Sequence, residues 1–202
     1  MNESAIGILI FDGVEVMDFA GPFEVFSVAR RDPARRREAA SPLPPRLIGL
    51  NSGPVTATGG MRVEVDATLE SPGPMRALVV PGGSGIRALL EDSSFHERLR
   101  ALRDELDCLL SVCTGALLLG RAGLLDGLEA TTHHRFIGEL EAIAPACRAR
   151  AGARVVDTGR VITAGGIASG IDAALHLLAR FEGREVAEEA AAWMEYTPQQ
   201  GH

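Results

Sequence analysis

The chain has 202 residues, 46% of them apolar and 23% charged, enough to bury a real core in one α/β domain and too apolar for a disordered chain. Its formal net charge of −7 argues against a general nucleic-acid binder. All 20 basic residues are Arg, which excludes a P-loop lysine, a Schiff-base lysine and a Ser-x-x-Lys hydrolase.

The opening Met1-Asn2-Glu3-Ser4 has no basic region ahead of a signal-like apolar core. The apolar stretch from Cys108 to Gly120 would span only ~20 Å as a helix, short of a bilayer core. Cys108, Cys113 and Cys147 form an odd, widely spaced set, neither a disulfide framework nor a zinc pattern. The expectation is a soluble cytoplasmic protein with no metal and no membrane partner.

In chain order, short apolar runs end in turn residues. Ile6 to Phe11 meets Asp12-Gly13, and Ala77 to Val80 meets Pro81-Gly82-Gly83. Leu109 to Val112 leads into Cys113-Thr114-Gly115, and Val161 to Thr163 into Gly165-Gly166. Runs of this length, apolar on both faces, read as central parallel strands. Helical patterns lie between them. The first places Pro22 in an opening turn, with Val25, Phe26 and Ala29 behind it. Ile86 to Leu90 and Phe95 to Leu106 form one broken helix, followed by Gly115 to Leu125, His133 to Ile143, Ile167 to Phe181 and Arg184 to Met194. Arg46 to Leu50, and a small hairpin from Val55 to Val65, supply further strands, with a minor one at Arg154 to Val156. The arginines from Arg30 to Arg37 read as a solvated helix end and loop. Alternating strands and helices predict a single domain over 1–202, a doubly wound, mostly parallel sheet with helices on both faces.

Ligands of such sheets bind beyond the carboxyl ends of the strands. Three loops there hold Asp18, Gly82-Gly83 and Cys113-Thr114-Gly115. Cys113 sits on an abrupt strand-to-helix bend, where a nucleophile points outward and a helix dipole favours its thiolate. The plain alternative is a small buried hydrophobe, as expected for Cys108 and Cys147. Asp18 is either a helix N-cap or a buried, protonated carboxyl placed to move protons. Glu15 is expected to face solvent. The Gly-x-Gly-x-x-Ala pattern beginning at Gly83 lacks the acid of a dinucleotide site, so no cofactor is expected. The amides of Gly82 and Gly83 are instead candidates to hold developing negative charge. His96 is expected on a solvated helix face and His176 in core or surface. His133 is either a capping residue or the partner of a Cys-His pair.

These segments resemble the DJ-1/PfpI superfamily. The resemblance rests on Ile6 to Pro22, Val79-Val80-Pro81-Gly82-Gly83, Ser111 to Gly115, Ala130-Thr131-Thr132-His133 and Thr163 to Asp172, and runs from about residue 6 to 198. Asp18-Phe19-Ala20-Gly21-Pro22, Val112-Cys113-Thr114-Gly115 and the late Glu195-Tyr196-Thr197-Pro198 look like the isocyanide hydratase branch. The resemblance implies a flavodoxin-like sheet, related to that of class I glutamine amidotransferases, and a homodimer. It also implies catalytic roles for Cys113, Asp18 and Thr114 in hydrating an isocyanide to an N-substituted formamide, without a cofactor. Two departures matter. DJ-1-like members carry Glu where Asp18 stands, and PfpI-type peptidases carry His where Thr114 stands, so peptidase activity is disfavoured. The same motifs occur in sensor domains of AraC-type regulators. No helix-turn-helix module is legible before His202, and no nucleic-acid partner is expected. Ligand or redox sensing and glyoxalase-like hydration of α-oxoaldehydes are the rival readings.

Overall fold

The computed structural model describes residues 5–199; Met1–Ser4 and the final residues including His202, considered above for targeting and chain end, lie outside them. β1 (Ala5–Ile10) is buried along its whole length and leads into α1 (Val16–Val28). β2 (Pro45–Gly49), a two-residue hairpin of β3 (Val55–Thr56) and β4 (Arg62–Val63), and β5 (Ala67–Thr68) follow. β6 (Met75–Val80) precedes the short α2 (Ile86–Leu89) and α3 (Ser93–Glu105). β7 (Cys108–Val112) turns sharply into α4 (Gly115–Arg121). After β8 (Glu129–Ala130) come α5 (Ile137–Ile143), β9 (Arg148–Ala149), β10 (Val155–Asp157) and β11 (Val161–Ala164). α6 (Ser169–Glu182) and α7 (Arg184–Trp193) complete the order.

The main sheet runs β10-β11-β7-β6-β1-β2-β5, parallel throughout except for the antiparallel edge strand β10. Helices α1, α6 and α7 pack together on one side, and α3, α4 and α5 on the other. The chain steps from β1 to β2 in one direction and later returns to place β6 on β1's other edge. The loops after β1 and β6 therefore diverge at a reversal of strand order, where an open α/β sheet forms its crevice. The long apolar strands and their turns match the sequence reading. β5, β8 and β9 were not anticipated, because pairs of two residues carry no periodic signal.

Several local expectations are corrected. α1 begins at Val16 rather than near Pro22, so Pro22 lies mid-helix and Asp18 in the first turn, while Glu15 occupies the N-cap position. Pro22 lies beyond the first turn, so it removes one interior helical hydrogen bond, the one its N–H would make to the Asp18 carbonyl. His96 is buried beside Phe95 rather than solvated; burial holds its pKa low. The arginines after α1 serve its end. Arg30 donates to the carbonyls of Ser27 and Ala29, and Arg36 to that of Val28, which suits the negative end of a helix. Arg36 also pairs with Glu189 at 2.5 Å and lies over Trp193. His176 pairs with Asp157 of β10 at the surface.

No helix among the described residues is long and apolar enough to cross a membrane.

Candidate active site

Cys113 sits between β7 and α4 with φ of 57°, a conformation that L-residues seldom adopt without surroundings that enforce it. Its N–H donates to the carbonyls of Ala164 and Gly165, and its carbonyl accepts from Thr132 Oγ1 at 2.7 Å. The bend is further fixed by Gly115. A Cβ there would stand 2.0 Å from the Val80 carbonyl oxygen, so only glycine lets α4 start so close to β6. Gly85 plays the same part on the neighbouring turn, where a Cβ would meet the Asp12 carbonyl at 1.9 Å. That packing, together with the isolated bridge from Val14 to Gly83, explains the glycine pattern rejected above as a cofactor fingerprint.

Asp18 projects from the first turn of α1 and is fully buried. One carboxyl oxygen accepts from the Gly82 N–H at 3.0 Å, and the other has no hydrogen-bond partner. Burial, reinforced by the Glu15 charge, raises its pKa to about 7, against the lowering pull of the Gly82 amide and of Cys113. Thr114 Oγ1 accepts from the Gly83 N–H at 3.2 Å. The two glycine amides, expected to face a substrate, are thus engaged by the Asp18 and Thr114 side chains. The same turn that brings them near the bend brings them near those oxygens.

The expectation that Cys113 points outward with its thiolate favoured is corrected, because the residue is only 7% exposed. Burial and the Asp18 charge push the thiol up to about 12, although the amides of Ile167 and Thr114 approach the sulfur and favour thiolate. The helix behind it has only seven residues, too little dipole to outweigh desolvation. The two groups are better described as one pair in which thiol and carboxyl compete for protons. Cys108 is buried within β7 and also pushed up to about 12 by burial, as expected of a packing residue.

A cavity of about 230 Å³ opens beside the sulfur. Its lining includes Gly83, Cys113, Thr114 and His133, all singled out from sequence, with Glu15, Ile86, Arg87, Phe136 and Ile167. Glu15 is therefore half-buried at the cavity rather than turned to solvent. Gly82 stands behind the lining, against Thr114 and Asp18. His133 caps a short 3-10 turn, its Nδ1 accepting from the Arg135 N–H. It stacks on His134 and is kept below its ordinary pKa by burial and by the His134 and Arg135 charges. Of the two readings offered for His133, capping is the one realised in its contacts.

Ile167 escaped the sequence reading. Its φ of 43° turns its amide to the sulfur, and a β-branched residue gives no advance signal of such a backbone. The preceding Gly165-Gly166 could have marked the turn as unusual. Phe136 and Arg87 were placed on helices, and nothing in their spacing assigned them to the cavity.

The DJ-1/PfpI family matches residues 4–180. Isonitrile hydratase of Pseudomonas putida is 33% identical over 196 residues, covering 96% of this chain and 78% of that protein. The HTH-type transcriptional regulator GbdR of Pseudomonas aeruginosa is 28% identical over 92% of this chain, which spans only 48% of the regulator. A crystal structure of a ThiJ/PfpI family protein from Pseudomonas syringae superposes with a TM-score of 0.84 at 28% identity, covering 99% of this chain and 78% of that one.

Proposed function

The chain belongs to the DJ-1/PfpI family, and we propose that within it the protein is a cysteine-dependent hydratase converting an isocyanide to an N-substituted formamide. The observation that carries the reading is Asp18, buried with one free oxygen against the Gly82-Gly83 turn that also holds Thr114, next to a Cys113 sulfur on a strained bend lining a small cavity, each acid perturbing the other. The 33% identity to an isonitrile hydratase supports the choice of substrate.

In the reactive form the pair holds one proton, which passes from the Cys113 thiol to the Asp18 carboxylate as substrate engages the sulfur. Cys113 sulfur attacks the terminal isocyanide carbon, forming a C–S bond, as the Asp18 carboxyl gives its proton to that carbon. The product is a thioimidate, and Asp18 is left ionised. Asp18 then takes a proton from a water molecule while the hydroxide adds to the same carbon, and passes that proton to nitrogen. Collapse to the formamide breaks the C–S bond, and the hydroxyl proton returns to Asp18. Thr114 positions this exchange, because its side chain and the Asp18 carboxyl share the Gly82-Gly83 turn. The Ile167 and Thr114 amides near the sulfur stabilise the thiolate as it is expelled.

Cys113→Ala is expected to abolish hydration of a simple alkyl isocyanide, followed by formamide appearance. Asp18→Asn is expected to slow it by ~10²–10⁴-fold, the range for a general acid–base group. Wild-type turnover in Cys113→Ala refutes the mechanism. The likeness to GbdR supports a second reading, ligand sensing by the same cavity without turnover; wild-type protein that binds but never hydrates isocyanides would favour it. The homodimer implied by the resemblance belongs with this proposal and is read by sedimentation.

A further inference from the structure

The cavity's two walls come from separate parts of the chain. One is Gly83 to Arg87, the turn after β6 and the start of α2; the other carries His133 and Phe136, just ahead of α5. Arg87 and Glu139 of α5 join the walls through a two-point ion pair. The Arg87 guanidinium lies 5.9 Å from the centre of the Phe136 ring. Arg87 is the one arginine in the lining, and Glu139 compensates its charge. Glu15 is in the lining too, with no ion pair among the described residues. His133 is held towards its neutral form by burial. Beyond these, the lining holds the apolar Ile86, Phe136 and Ile167 and the neutral hydroxyls of Ser84 and Thr114, with no further cation. An incoming carboxylate would meet Glu15 without a free cation to offset it.

We propose that the Arg87–Glu139 pair determines substrate charge: it ties the two walls together and withholds the cavity's arginine, so that uncharged substrates enter and carboxylate-bearing ones are turned away. The inference deepens the hydratase reading in that it takes Cys113 as the reacting group, but its test does not need turnover. Iodoacetamide and iodoacetate are near-isosteric, one neutral and one anionic. Each alkylates by forming an S–CH2 bond to Cys113 with loss of iodide, the thiol proton passing to solvent. Rates at Cys113 are read by intact mass and peptide mapping.

Glu139→Gln frees Arg87 and is expected to raise the iodoacetate-to-iodoacetamide rate ratio about three- to tenfold, the scale of one partly exposed charge at this range. Adding Arg87→Gln to the same chain is expected to return the ratio to the wild-type value, and high salt to shrink the gain. An unchanged ratio in Glu139→Gln overturns the inference. So does a raised ratio that persists without Arg87, or alkylation that never reaches Cys113, since an open mouth beside the sulfur is its premise. Failure of the hydratase reading would look different: no formamide from any isocyanide, with the alkylation pattern intact.

Discussion

Asp18 is the residue whose environment departs furthest from what its type prefers. Its carboxyl is fully buried with one oxygen unpartnered, a costly state for an anion and a mild one for the neutral acid. Its pKa rises from 3.8 to about 7 on folding. The folded protein therefore binds more protons than the unfolded chain between these values. The associated stability is full below about 3.8 and is lost as pH rises to about 7. Asp18→Asn, which keeps an acceptor for the Gly82 N–H, should accordingly be more stable than wild type at pH 8, by on the order of 2–4 kcal/mol. The gain should shrink towards zero near pH 4. Urea midpoints at the two pH values check this, and a pH-independent difference would contradict it. A functional carboxyl held at the expense of stability is a common arrangement at reactive sites.

At the scale of elements, the bend between β7 and α4 depends on β11, Thr132 and β6 more than on its own residues. Cys113 keeps a left-handed backbone because its N–H, its carbonyl and the start of α4 are all fixed from outside. Gly115→Ala tests that dependence. The added methyl meets a backbone oxygen, which cannot swing aside as a flexible side chain would. The expected cost is about 2–4 kcal/mol, read by thermal unfolding, together with a change in Cys113 alkylation rate as the sulfur shifts. The strand, the abrupt bend and the following glycine were legible in the sequence as a sharp strand-to-helix turn. The competing pull of burial on the thiol was not, because the dielectric around a sulfur is set by what packs over it. α1 gives the complementary lesson. Pro22 reads locally as a helix start, yet the helix begins at Val16, nearly two turns earlier, with Phe19 buried ahead of Pro22, so Asp18 lies in its first turn.

Across the whole molecule, a second polar network ties the end of the described chain to the sheet. Asp172, buried in the first turn of α6, pairs with Arg154 beside β10 and accepts from Tyr196 Oη at 3.0 Å and from the Gln199 N–H at 3.1 Å. Removing the carboxylate leaves a partly buried guanidinium and a phenol without their acceptor. Asp172→Ala is expected to cost about 2 kcal/mol and to speed amide exchange selectively at 196–199, measured by hydrogen–deuterium exchange. Protection unchanged in that segment would show that it is held by other contacts. The Glu195-Tyr196-Thr197-Pro198 stretch, notable in the sequence for its resemblance alone, thereby acquires a physical role.

The sequence by itself determined the alternating architecture, the long strands in chain order and the candidate residues for the site. Those features are written in local signals: apolar runs of strand length, glycines where the chain must turn, and a cysteine followed at once by a helix. Only the tertiary structure decided that Asp18 is buried rather than capping, and that the Gly82 and Gly83 amides are already engaged. It also decided that Glu15, Arg87, Phe136 and Ile167 share one cavity. Each of these depends on groups far apart in the chain meeting at one reversal of strand order. Desolvation and hydrogen-bond competition exist only after that meeting, so no local pattern can encode them.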